Sequence, residues 1–113
     1  MAKIIKIPSV FVYDSKVVGV SQSNDDGSSR QEIIKREVLE EDYLLLKSEP
    51  DNAYDSNAIK VLSKLGNQIG YLNKELAEKV KPALENATEI YVKASWVSGE
   101  KMLGVGLRIE LVS

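Results

Sequence analysis

From Leu103 to Leu111 an apolar side chain falls on every second residue: Leu103, Val105, Leu107, Ile109 and Leu111 alternate with Gly104, Gly106, Arg108 and Glu110. Successive side chains of a strand point to opposite faces, so five apolar residues at period two commit one face of a strand to a core. A helix cannot hold that spacing on one side. The segment before it alternates as well, with Ile90, Val92, Ala94 and Trp96 on one face and Tyr91, Lys93, Ser95 and Val97 on the other. This reading places Trp96 with the core. Ser98-Gly99-Glu100 turns one strand into the next. The two glycines weaken the outer face of the last strand. They imply close approach of an aromatic side chain of the same protein, or of a ligand.

The rest of the chain reads as short strands and two helices. Ile4, Ile5 and Ile7 suggest a first strand, ended by Pro8. Val10 to Tyr13 is a second, Asp14-Ser15 a turn, and Val17 to Val20 a third. Asn24-Asp25-Asp26-Gly27 is a turn, because those residue types tolerate left-handed backbone. Ser29-Arg30-Gln31-Glu32 has capping-box spacing and opens a helix that ends near Val38. Tyr43 to Leu46 reads as a strand buried on both faces. Ala58–Leu62 and Gln68–Leu72 form a hairpin around Lys64-Leu65-Gly66-Asn67. Asn73 caps a second helix with the apolar stripe Leu76, Ala77, Val80 and Leu84, which Pro82 should kink or restart. The expectation is one domain over residues 1–113. It is mainly β with two helices, as a small antiparallel OB-like or SH3-like β-barrel of about six strands.

Composition removes several function classes. The chain has no His and no Cys, which excludes Ser-His-Asp and thiolate catalysis, zinc fingers, haem and disulfides. A chain without Cys fits a reducing cytoplasm. No run approaches 18 apolar residues, and the start reads as structure rather than as a signal peptide. Residues 1–56 hold 7 basic and 11 acidic side chains, and residues 57–113 hold 8 and 6. A phosphate-binding face should therefore draw on the second half.

The segment richest in information is Glu49-Pro50-Asp51-Asn52-Ala53-Tyr54-Asp55-Ser56-Asn57-Ala58-Ile59-Lys60-Val61. On residue types alone its Asp and Asn side chains suit Asx-turns that bond nearby amides. It fails the calcium-loop pattern, since Ala53 stands where a ligand is needed. This run resembles the signature of HIRAN domains, as does Gly66-Asn67-Gln68-Ile69-Gly70-Tyr71-Leu72-Asn73-Lys74-Glu75-Leu76-Ala77 after it. The resemblance is close over about residues 42–81. It extends more loosely through Val17–Val20 and Arg30-Gln31-Glu32 to about residues 15–112, leaving 1–14 as an N-terminal strand extension.

The resemblance implies a non-catalytic, OB-related module that grips the 3′-hydroxyl end of single-stranded DNA, with no cofactor. The family occurs fused to DNA-remodelling helicases and nucleases and as stand-alone proteins. Carried onto this sequence, the matching positions are Asn52, Tyr54 and Asp55. The ring would support the terminal base and the carboxylate would accept from the 3′-hydroxyl. Lys74 matches a basic position at the start of the second helix, with Tyr71 beside it. Trp96 aligns with a stacking aromatic of the late strand, against its place in the alternation. One departure stands out. Where the family carries an Arg followed by aromatics, this chain has Ser21-Gln22-Ser23. A phosphate clamp and a stacking surface are lost there unless Arg30 or Lys101 substitutes. The alternative is a protein-interaction or assembly module, either a homodimer or an accessory subunit of a DNA-processing enzyme. The acidic balance, the lost segment and the glycine-bare strand face favour that reading, with an exposed edge strand to pair with a second chain.

Overall fold

The alternating C-terminal segment forms β6 (Gly104–Val112), the central strand of a three-stranded antiparallel sheet. It lies between β1 (Val10–Lys16) and β5 (Glu89–Ser98). The computed structural model describes residues 10–86 and 89–112, so the strand expected over Ile4–Ile7 lies outside the described residues. The inward row of β6, Val105, Leu107, Ile109 and Leu111, is buried as its periodicity requires.

β1 differs from expectation. Its ladder runs unbroken from Val10↔Val112 to Lys16↔Gly106, straight through the expected turn at Asp14-Ser15. Asp14 sits opposite Arg108, at the outer face of the strand. Asp14 therefore belongs to the solvent row of the strand, and half-buried Ser15 on the other face accepts from Asn73 Nδ2 at 3.1 Å. Val17–Val20 is not a strand. Val17 is buried, Val18 makes one isolated bridge to Tyr71, and the chain then turns at Gly19.

The second sheet has the order β2-β3-β4, from β2 (Leu45–Ser48), β3 (Ile59–Leu62) and β4 (Gln68–Tyr71). The expected β3–β4 hairpin is present, with a register shift between Val61 and Leu62. β2 is an edge strand, so its apolar run is not buried on both faces. Leu44 is buried, but Tyr43 and Leu45 are exposed. Two isolated bridges join the sheets, Val18↔Tyr71 on one side and Tyr43↔Lys93 on the other. Each seam holds a single bridge before the chain turns away. The result is mainly β with two helices, as expected, but as two three-stranded antiparallel sheets that do not close into a barrel.

The helices begin where their caps predict. In α1 (Arg30–Glu37) the Ser29 hydroxyl accepts from the Glu32 amide at 3.2 Å, and the helix ends at Val38. In α2 (Lys74–Glu85) the Asn73 Oδ1 accepts from the Leu76 amide at 2.8 Å. α2 runs through Pro82 as one element rather than restarting there, and buries Leu76, Ala77 and Val80. Ile34, Val80, Ile59, Ile69, Leu107 and Ile109 bring both helices and both sheets into one core.

Trp96 does not join that core. The β5–β6 register shifts between Ala94 and Trp96, where Ser95 is the extra residue. A bulge inverts side-chain direction beyond it. Val97 therefore turns inward against the core, and Trp96 turns outward, 39% exposed. The indole lies across the bare backbone of Gly104 and Gly106. The aromatic that the glycines call for is thus Trp96 itself.

Candidate nucleic-acid interface

The loop between β2 and β3 is a set of side chain–to–backbone bonds. Asn52 Oδ1 accepts from the amides of Tyr54 and Asp55, both at 2.9 Å. Its Nδ2 donates to Glu49 Oε1 at 2.6 Å. Asp55 Oδ1 accepts from the Asn57 amide at 2.9 Å. Ala58 donates to the Asp55 carbonyl and Glu49 to the Ala58 carbonyl, which closes the loop at its base. The Asx-turns expected from residue types are therefore formed at Asn52 and Asp55, while Asn57 Oδ1 accepts from Lys81 Nζ instead. Asn52 braces the turn and has little left to offer a ligand, and Asp55 keeps only Oδ2 without a partner among the described residues. Tyr54 stands at the tip of this braced turn, 96% exposed.

Glu49 ties the loop to the sheet. Its Oε1 also accepts from the Tyr71 hydroxyl at 2.8 Å, and its Oε2 pairs with Lys60 Nζ at 2.8 Å. Burial alone would raise the Glu49 pKa. The hydrogen bond from Lys60, then those from Asn52 and Tyr71, outweigh it and hold the carboxyl below its ordinary value. The same bond raises the Lys60 pKa. The Arg30 guanidinium lies over the Tyr71 ring, 5.3 Å from its centroid.

These groups line an open cleft of about 620 Å³, formed with Gln22, Ser23, Asp25, Asp51 and Ala53. Of the expected site residues, the cleft gathers Asn52, Tyr54 and Tyr71. Asp55, Lys74 and Trp96 are not among its lining. Lys74 is exposed in the first turn of α2, and Trp96 is on the outer face of the other sheet. Gln22 and Ser23, of the Ser21-Gln22-Ser23 run, do line it. Two residues absent from the expected set are central. Glu49 fixes Tyr71 and Asn52, and Arg30 is the one cation of the lining. Glu49 opens the signature segment, so its position is legible. Its role depends on Tyr71 and Lys60 arriving from other strands.

The sequence matches the HIRAN domain family over residues 10–112, and the chain belongs to that family. It is 47% identical over 49 residues to the helicase-like transcription factor of Oryctolagus cuniculus and 43% identical over 49 residues to that of Homo sapiens. Each stretch is 43% of this chain and only 5% of the length of the relative. The fold is similar to the crystal structure of the HIRAN domain of the human protein, with TM-score 0.71 and 25% identity over 94% of this chain and 79% of that one. A protein from Lactobacillus plantarum shares the fold with TM-score 0.74 at 18% identity, over 94% of this chain and 98% of that one. Among the described residues no helix is long and apolar enough to cross a membrane.

Proposed function

We propose that this domain binds single-stranded DNA at its 3′-hydroxyl end, as a non-catalytic module in DNA repair or processing in the cytoplasm. The observation that carries this reading is Tyr54, a fully presented ring on a hydrogen-bonded turn at the rim of a cleft. A base stacked on such a ring gains about 1–3 kcal/mol regardless of sequence. The brace matters because a ring held in place before binding loses little freedom on binding. The free Oδ2 of Asp55 is the acceptor for the terminal hydroxyl, and its charge disfavours a terminal phosphate. Lys74, exposed in the first turn of α2, would offer its charge and the neighbouring helix amides to a phosphate of the strand.

The test is fluorescence anisotropy with short oligonucleotides that end in a 3′-hydroxyl or a 3′-phosphate, at low salt. Binding with preference for the hydroxyl end is expected. Asp55→Asn keeps an oxygen for the Asn57 amide and removes the charge, so it should reduce that preference while the fold persists. No binding at low salt would sink the reading, because phosphate contacts are strongest there.

A second reading rests on a different observation. β1 is an edge strand with exposed Val10, Phe11 and Val12, which suits assembly with another chain by strand pairing. Light scattering of the full chain decides it, since a monomer at all concentrations removes the homodimer.

A further inference from the structure

Among the described residues the cleft is lined by a single cation, and that cation is only partly used by the protein. We infer that Arg30 is the phosphate ligand of this site and takes one phosphodiester of a strand whose end lies against Tyr54. The inference rests on the reading above and names the group that holds the backbone. Arg30 is drawn inward, with 5% of its surface exposed. Its Nε donates to Asn24 Oδ1 and its Nη1 to the Gly19 carbonyl, both at 2.8 Å, with the Tyr71 ring beside it. Gly19 makes room for this. Its φ is +73°, and a Cβ there would stand 3.0 Å from Nη1.

These contacts leave Nη2 without a protein partner among the described residues. The atom is not sealed in, because no buried side-chain nitrogen or oxygen among the described residues lacks a partner. Nη2 is therefore within reach of solvent, on a residue that lines the cleft. Buried arginines are ordinarily paired with an anion. Here no carboxylate is within ion-pair distance among the described residues, and Glu49, one of the carboxylates of the lining, is committed to Lys60. The missing counter-charge is what a ligand would bring. A phosphodiester carries one negative charge and matches one guanidinium. A terminal phosphomonoester carries nearly two and would face Asp25 and Asp51 on the same walls.

The experiment is the salt dependence of oligonucleotide binding by the full chain. Each phosphate contact to a single strand contributes about 0.7 to the slope of log K against log salt. Arg30→Met should lower the slope by about that amount, and Arg30→Lys should largely restore it. A merely structural Arg30 would change thermal stability and leave the slope alone. In parallel, uncharged methylphosphonate linkages are placed one at a time from the 3′ end. One of them should lower the wild-type slope equally and have no further effect in Arg30→Met. An unchanged slope in Arg30→Met, or a methylphosphonate effect that persists in that variant, overturns the inference while end binding stands. Failure of the wild type to bind removes both. Should Arg30→Met not fold, NMR of the arginine side-chain resonances in the wild type decides. The Arg30 signals move at saturating oligonucleotide if the inference holds, and unmoved signals overturn it.

Discussion

At the scale of single residues, exposure separates the groups that hold the fold from those free to bind. Tyr54 touches almost nothing in its own chain, so Tyr54→Ala should change stability by no more than about 0.5 kcal/mol in chemical denaturation. Its oligonucleotide affinity should fall by about 1–3 kcal/mol, alike for all sequences. A loss of stability larger than that would mean the ring supports the loop. Tyr54 and the Asx-turns beneath it were legible because residue types in that loop determine both. Arg30 was legible as the first residue of a helix and, beside Lys101, as a candidate replacement for the lost clamp, but not as a cleft residue. Its inward course depends on Gly19, Asn24 and Tyr71, 11, 6 and 41 positions away, and local pattern carries none of that.

At the scale of elements, caps and hairpin turns could be read from the sequence, while bulges and seams could not. Ser29 and Asn73 start helices by bonds within three residues, which spacing encodes. The inversion of Trp96 depends on one extra residue in the β5–β6 ladder, and Ala94-Ser95-Trp96 gives no signal of it. A Cβ on Gly106 would overlap the indole ring, so Gly106→Ala should push Trp96 off the strand. Trp96 is the only tryptophan, so the expected red shift of emission is unambiguous. An unchanged spectrum would contradict the packing. Glu37 makes the complementary point for α1. It is buried in the last helical turn, where a negative charge is disfavoured by the helix dipole. It accepts from Ser63 at 2.7 Å and from Asn67 at 2.9 and 3.1 Å, which clamps α1 to the β3–β4 hairpin. Glu37→Gln presents an amide to the Asn67 amide and leaves a buried donor unpaired. A loss of about 1–3 kcal/mol in urea unfolding is expected.

At the scale of the whole molecule, the absence of His sets the response to pH. No side chain of the folded protein has an ordinary pKa between about 5 and 8. The linked groups lie on either side of that gap. Hydrogen bonds from Asn67 and Ser63 lower the Glu37 pKa, the Leu39 amide lowers that of Asp42, and Glu49 is lowered by the bonds already described. A carboxyl with a depressed folded pKa stabilises the fold above its unfolded value, near 4, and that contribution is lost as pH falls through the folded pKa. Lys60 has the opposite sign. Its raised pKa contributes below its unfolded value, near 10.4, and is lost as pH rises through the folded value. The melting temperature should therefore be nearly flat from about pH 5 to 9, fall on the acid side and fall again above about pH 10. Glu37→Gln should make the acid limb shallower, because one depressed carboxyl is gone. Binding of single strands should be as flat as stability across the same window, since the chain has no His or Cys and a phosphodiester stays ionised there. A step in affinity near pH 6 to 7 would mean that a titrating group outside this account, on the protein or on the nucleic acid, controls the cleft.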